Sequence, residues 1–236
     1  MDKKEKEVLL LGIDDAGRGP VIGPMILAGV LMTREQEVIL KEEGVKDSKQ
    51  VLHPARVKLA EAIKKNSINY KIVKAFPGEI DEYVSTKNLN LNTLEAKKAA
   101  EIINFLNDGK EKLLVVLDCP SVNTKAWKAK LLEFVENNKN LEVSCEHKAD
   151  INHISVSAAS ILAKVAREEE VEKIKKEYEK YGNMGSGYPA DPVTKDFLKK
   201  HGRELENSGI FRKTWATWKD MFGNKEKKQA SLKDFN

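Results

Sequence analysis

Apolar residues fall into short continuous runs and longer stretches of helical spacing, and the two kinds follow one another in a definite order. Val8–Asp14 and Val21–Met32 are continuous apolar stretches separated by a Gly/Pro-rich turn, which predicts two neighbouring strands. Pro54 opens a helical stretch through Ala60 and Ile63, and Ile68–Phe76 alternates as a third strand. Leu91, Leu94, Ala99, Ile102, Ile103 and Leu106 give Asn90–Leu106 its helical period. Leu113–Leu117 is a short strand closed by Asp118, Thr124–Val135 an amphipathic helix, and Leu141–Cys145 a fifth strand. The longest helix runs from about Ile154 to Tyr181, with Glu169–Lys173 and Glu172–Lys176 as favourable i,i+4 pairs and Glu168–Glu172 as an unfavourable one. Gly182 stops it. Three strands with little helix between them, then alternating helix and strand, predict an α/β fold. Its mixed five-stranded sheet is flanked by helices, antiparallel at one side and parallel beyond. No internal repeat is present.

After Gly182 the composition changes to a glycine-rich loop, Gly182–Pro189, and Asp191-Pro192 then starts a helix that reaches about His201. Ile210–Phe222 is expected as a further helix whose Phe211, Trp215, Trp218 and Phe222 share one face. Docking of this extension onto the core is favoured over stacking on bases. From Gly223 the chain is polar and lysine-rich and is expected to be disordered. The division is therefore residues 1–181 as the core, 182–222 as a loop and helical extension, and 223–236 as a tail.

The 236 residues are 41% hydrophobic, enough for one domain with appendages. Lys+Arg number 41 against 37 Asp+Glu, a net charge of +4. Acids gathered at one site would leave the remaining surface more basic than this total, which is compatible with a polyanionic partner. A solvated, charge-rich surface explains the 33% charged content equally well. Cys119 and Cys145 lie in or beside apolar runs and are expected as buried free thiols, and His53, His147, His153 and His201 lack zinc-ligand spacing. The charged start is unlike a signal peptide, and no stretch is apolar enough to span a membrane. A soluble, cytoplasmic protein with no membrane contact is expected, with a monomer as the default.

The chemistry concentrates at Asp14 and Asp15, which end the first apolar run and precede Ala16-Gly17-Arg18-Gly19-Pro20. An unpaired buried anion loses its hydration, and a divalent cation is one compensation available to such a pair. Asp118 ends its strand as Asp14 does, and ligands gather at the carboxyl ends of parallel strands. Asp150 stands just before the long helix. Each aspartate alone is as well explained as a cap or turn. Together, four hard oxygen donors call for Mg²⁺ or Mn²⁺ rather than zinc.

Gly12-Ile13-Asp14-Asp15-Ala16-Gly17-Arg18-Gly19-Pro20, with Lys46-Asp47-Ser48-Lys49 after it, resembles the opening motifs of the ribonuclease HII family, archaeal type. Asp118, Asp150 with Ser155–Arg167, and the tyrosine loop Gly185-Ser186-Gly187-Tyr188-Pro189 match in order, so that the likeness covers about residues 8–220. The resemblance implies a ribonuclease H-like fold with a C-terminal helical extension. It also implies a type 2 ribonuclease H that cleaves the RNA strand of RNA/DNA hybrids and cuts on the 5′ side of single ribonucleotides in duplex DNA. Two Mg²⁺ or Mn²⁺ ions would serve the hydrolysis, which leaves 3′-hydroxyl and 5′-phosphate ends. Carried over by position, Asp14, Asp15, Asp118 and Asp150 are the metal-binding, catalytic acids. Gly17, Arg18 and Gly19 would read the ribose 2′-hydroxyl through backbone groups, and Tyr188 would pack on the sugar at the junction. Ser48, Lys49, Ser157, Ser160 and Lys164 are the expected phosphate contacts.

Two further features follow from the same comparison. The family normally carries glutamate where this chain has Asp15, one methylene shorter. The tail residues Gln229, Leu232 and Phe235 resemble the peptide with which replication and repair enzymes hold the sliding clamp (PCNA), although Asn236 replaces its usual second aromatic. Competing expectations are a DNA-cleaving relative of the integrase or transposase kind, and a hybrid-binding protein inactivated through Asp15. The Gly-Arg-Gly turn and Tyr188 argue against the first.

Overall fold

A computed structural model describes residues 8–46 and 52–223. Five strands form one sheet in the order β3-β2-β1-β4-β5: β1 (Val8–Ala16), β2 (Met25–Met32), β3 (Asn69–Ala75), β4 (Lys112–Asp118) and β5 (Leu141–Glu146). β1, β2 and β3 pair antiparallel, whereas β4 runs parallel to β1 and to β5, as the element order predicts. The helices in chain order are α1 (Arg34–Glu42), α2 (His53–Asn66), α3 (Pro77–Ser85), α4 (Leu91–Leu106), α5 (Thr124–Glu133), α6 (Ala149–Asn152), α7 (Ile154–Glu177), α8 (Pro192–His201) and α9 (Ala216–Phe222). No described helix is long and apolar enough to cross a membrane.

Alternation along β1 assigns its residues to two cores. Leu11 and Ile13 enter one apolar cluster with Leu94, Ile102, Val115 and Trp127, on the side of α4 and α5. Leu10 and Ala16 enter the other with Ala158, Ile161 and Leu162 of α7. Gly12 makes the second core possible, because a Cβ there would lie 2.1 Å from the Ser155 carbonyl carbon. A third cluster joins Val21, Ile22, Met184, Phe197, Phe211 and Trp218, which packs the C-terminal segment onto the turn after β1.

Several boundaries differ from the sequence expectation. Val21–Met32 is not one strand: β2 begins at Met25, and Ile22 forms an isolated bridge with Phe211. Gly23 at φ +85°, followed by Pro24, breaks the run. β1 continues through both aspartates to Ala16. α1, capped by a Thr33–Gln36 box, and α3, begun by Pro77, are additional helices in segments too short to announce a period. Of Ile210–Phe222 only α9 is helical; Phe211 belongs to the bridge. Its aromatics nevertheless cluster, with Trp218 4.9 Å from Phe211 and 4.6 Å from Phe222 between ring centres. On α7 the ion pairs are Glu170–Lys173 and Glu172–Lys175, at i,i+3 rather than i,i+4. Cys119 and Cys145 are free thiols, the first buried and the second partly so.

Because backbone atoms of α7 occupy the space beside Gly12, Gly12→Ala should destabilise the fold by about 2–3 kcal/mol, as overpacking does when the neighbour cannot swing aside. Urea denaturation of the purified variant checks this.

Candidate active site

Strand register sets the acids. Ile13 pairs with Leu117 across the parallel β1–β4 ladder, so Asp14 and Asp118 follow at the same level at the strands' carboxyl ends. Asp14 is buried, shares the parity of Leu10 and Ala16, and hydrogen-bonds Ser160 of α7. Its Oδ1 also accepts from the Asp15 amide at 2.7 Å. Asp15 has the parity of Leu11 and Ile13 and meets the α4 side. Asp14, Asp15 and Asp118 line one narrow cavity together with Glu95 of α4. The Asp118 carboxylate accepts from the Ala149 amide at 3.3 Å, which ties β4 to α6. Asp150 is 3% exposed and sits inside α6, a separate turn of helix, rather than directly before α7.

Burial, and then repulsion from Asp15, pushes the Asp14 carboxyl up to about 8. Asp15 is raised to about 7 by burial and by Glu95, against the pull of Arg18 and Lys164. Among the described residues, no three acid, histidine or thiol side chains stand close enough to share one ion as they are.

Glu95 escaped the sequence reading. It is 2% exposed and ion-paired to the Arg18 guanidinium, which also donates to Asn92 Oδ1 at 2.6 Å. The Arg18 side chain is thus spent on α4, and the turn keeps only its backbone for a ligand. A charged residue between Leu91 and Ala99 on the apolar stripe of a helix was the available signal.

Arg212, also missed, is 0% exposed and donates to the carbonyls of Gly17 (2.7 Å), Arg18 (2.8 Å) and Gly23 (3.0 Å). Trp215 Nε1 donates to the Gly19 carbonyl at 3.0 Å. In a trans peptide the following N–H points opposite to the carbonyl, and no described peptide is cis. The amides of Arg18 and Gly19 therefore face away from this clamp. Asp81 of α3 fixes the clamping segment by accepting from the Lys213 and Thr214 amides at 2.7 and 2.9 Å.

Next to the turn lies a cavity of about 460 Å³ that includes Asp15, Gly17, Gly19, Lys164, Arg167 and Tyr188. The Tyr188 ring is 42% exposed and lies 5.2 Å from the Arg167 guanidinium. Asp191, the N-cap of α8, shapes the loop by accepting from the Ser186 amide (2.7 Å) and hydroxyl (2.8 Å), which lowers its own carboxyl to about 2. The Gly187 carbonyl accepts from the Val21 amide at 2.8 Å and seats the tyrosine loop on the turn.

Two of the expected phosphate contacts need correction. Ser157 is buried and donates to the Lys46 carbonyl, and Ser160 is buried against Asp14, so neither presents its hydroxyl at the surface. Ser160 lies where α7 packs on β1, and Ser157 faces the segment that follows α1. Ser48, Lys49, Gln229, Leu232 and Phe235 lie outside the described residues.

An acid cavity at the carboxyl ends of β1 and β4, in a five-stranded mixed sheet with this order, defines a ribonuclease H-like nuclease. The family model for ribonuclease HII matches residues 11–218. A ribonuclease HII from Methanococcus maripaludis strain C6 is 42% identical over 220 residues, covering 90% of this chain and 87% of the relative. The ribonuclease H2 structure from Pyrococcus horikoshii OT3 superposes with a TM-score of 0.79 at 36% identity, covering 90% and 96%. The Archaeoglobus fulgidus ribonuclease HII, solved as a complex with PCNA, gives 0.75 at 38% identity, covering 88% and 95%. The chain belongs to the ribonuclease HII family and is a type 2 ribonuclease H, an endonuclease.

The raised carboxyls carry a sign for stability. Asp14 and Asp15 titrate near 8 and 7 when folded but near 3.8 when free, so between these values the folded state holds the extra protons. Stability should fall as pH rises from about 4 to 8 in chelator-treated protein, by about 2–4 °C of melting temperature per kcal/mol lost. Thermal melts across that range check it, and Asp14→Asn should flatten the slope.

Proposed function

We propose that this enzyme cleaves the RNA strand of RNA/DNA hybrids and incises on the 5′ side of a single ribonucleotide embedded in duplex DNA. The carrying observation is the adjacency of the acid cavity to a turn whose carbonyls are held by Arg212 and Trp215 and whose amides face away from them. Two outward amides supply hydrogen-bond donors for a 2′-hydroxyl, the group that separates RNA from DNA. Tyr188, flanking Gly19, packs on the sugar at the junction. Lys164 and Arg167 lie in the same cavity and offer positive charge to backbone phosphates, which position a duplex without reading its sequence.

The donor set fits Mg²⁺ or Mn²⁺. It consists of carboxylate oxygens alone, and burial without a cation leaves Asp14 protonated near neutral pH. Asp14, Asp15, Asp118 and Asp150 would hold two such ions, the pair that in-line phosphodiester hydrolysis uses. Bound there, the cations supply electrophilic stabilisation of the phosphate and a more acidic attacking water. The chain's own part is to fix the four carboxylates on β1, β4 and α6, to orient the ribose at the turn, and to hold the duplex against α7.

A duplex carrying one ribonucleotide, incubated with Mg²⁺ or Mn²⁺, should be cut 5′ to it, leaving 3′-hydroxyl and 5′-phosphate ends, and an all-DNA duplex should remain intact. Asp118→Asn removes a charge with little change in volume and should lower the rate by at least about 10²-fold, the scale of a lost catalytic group, with an unchanged melting temperature. Wild-type turnover in that variant would remove Asp118 from the ligand set.

The tail is proposed to bind a sliding clamp through Gln229, Leu232 and Phe235, in line with the Archaeoglobus fulgidus relative solved with PCNA. Leu232 and Phe235, three apart, would enter one hydrophobic pocket on a short helical turn. Deleting Gln229–Asn236 should leave short-duplex cleavage unchanged and abolish clamp binding, measured by calorimetry at about micromolar affinity for the intact chain.

A further inference from the structure

Glu95 lies in the acid cavity without belonging to the four acids of the motif. It projects from α4 toward Asp14, Asp15 and Asp118, is 2% exposed, and its two oxygens have unlike surroundings. Oε2 is paired with Arg18. Oε1 is buried and has no hydrogen-bond partner. An orphaned carboxylate oxygen inside a protein is costly whether the group is charged or protonated, because either form has lost water and gained nothing for that atom.

The surroundings prevent Glu95 from relieving this itself. Arg18 is held from a second side by Asn92, one helical turn before Glu95, and the Asn92 carbonyl is fixed by the Trp127 indole at 3.1 Å. The rigid frame holds Oε2 and leaves Oε1 committed to the cavity. From the other wall Asp15 extends a side chain one methylene shorter. A cation between them would find Glu95 the longer-reaching donor, with a partner atom missing where a ligand oxygen is needed.

We propose that Glu95 is a fifth carboxylate of the divalent-cation site, aimed by Arg18 and Asn92, and that its Oε1 supplies the reach that Asp15 lacks. The proposal rests on the metal-binding role given above to the acid cavity. It assigns Arg18 a second duty: its backbone serves the turn, while its guanidinium neutralises half of Glu95 so that one oxygen remains for the ion.

Calorimetric titration of Mn²⁺ alone into four full-length proteins tests this: wild type, Glu95→Gln, Asp15→Glu and the double variant. Glu95→Gln should weaken Mn²⁺ binding by about tenfold, the scale on which such carboxylates act on metal affinity. In the Asp15→Glu background the same substitution should cost much less, because the longer side chain at position 15 supplies the reach. Metal-free melting temperatures report folding. Glu95→Asp keeps the charge on Arg18 and withdraws the oxygen, so it should also weaken Mn²⁺ binding and be compensated by Asp15→Glu, even if the glutamine variant fails to fold. Unchanged Mn²⁺ affinity in either Glu95 variant, or an equal loss in both backgrounds, would overturn the proposal and leave Glu95 as a scaffold for Arg18. Glu95-dependent Mn²⁺ binding by a wild type that cuts no ribonucleotide would sustain this inference while sinking the proposed activity.

Discussion

The turn that follows β1 depends on one buried guanidinium. Arg212 comes from the far end of the chain and takes up three carbonyls of the segment that joins β1 to β2. Burial, with Arg167 nearby, lowers its affinity for a proton to about 9, so the cation is held by these dipoles against a real penalty. Losing it would orphan three carbonyls at once, each costing about 1–3 kcal/mol when buried. Lysine cannot substitute, because one ammonium cannot present the planar fork that reaches all three. The C-terminal segment thus fixes the backbone of the turn beside the acid cavity. The Trp215 indole and the Asp81 carboxylate extend the same bracket from either side.

A second constraint is the two-residue period of β1. Adjacent aspartates on a strand leave it in opposite directions, so at the strand end the two carboxylates reach the one cavity from different sides. Asp14 is received by Ser160 on the α7 side, and Asp15 meets Glu95 and Arg18 on the α4 side. The close approach of α7, allowed by Gly12 and by the small residues around Ser157, is what buries the first of them. Packing that stabilises the fold therefore also strips water from the acids. Here structural and chemical demands meet in the same few residues.

How much of this was legible in the sequence varied with the range of the interaction. The sheet was legible because apolar runs and their order carry strand number and direction, and the acids at the ends of β1 and β4 followed from that order. α1 and α3 were not, being nine residues each and begun by Thr33 and Pro77 in segments without a sustained stripe. Val21–Met32 looked continuous because hydrophobicity alone does not register that Gly23 and Pro24 turn the backbone. Ser157 and Ser160 looked like surface hydroxyls, and only the packing of α7 on its neighbours shows them inside. Arg212 is one cation in an aromatic segment, and nothing local announces that its partners lie nearly two hundred positions earlier.

Glu95 occupies an intermediate case, and its logic reaches beyond this site. It falls on the apolar stripe of α4, where a charge is unfavourable unless something in the fold compensates it. Arg18 compensates half of it, and the other half faces three more acids. Without a cation, the cavity is a place where protons must stay on carboxyls that would normally lose them. On the metal-binding role proposed for it, protons and divalent cations would compete for this cavity, and metal affinity would rise with pH through the range where Asp14 and Asp15 titrate. The cost of crowding these acids is free energy that a cation in the proposed site would recover.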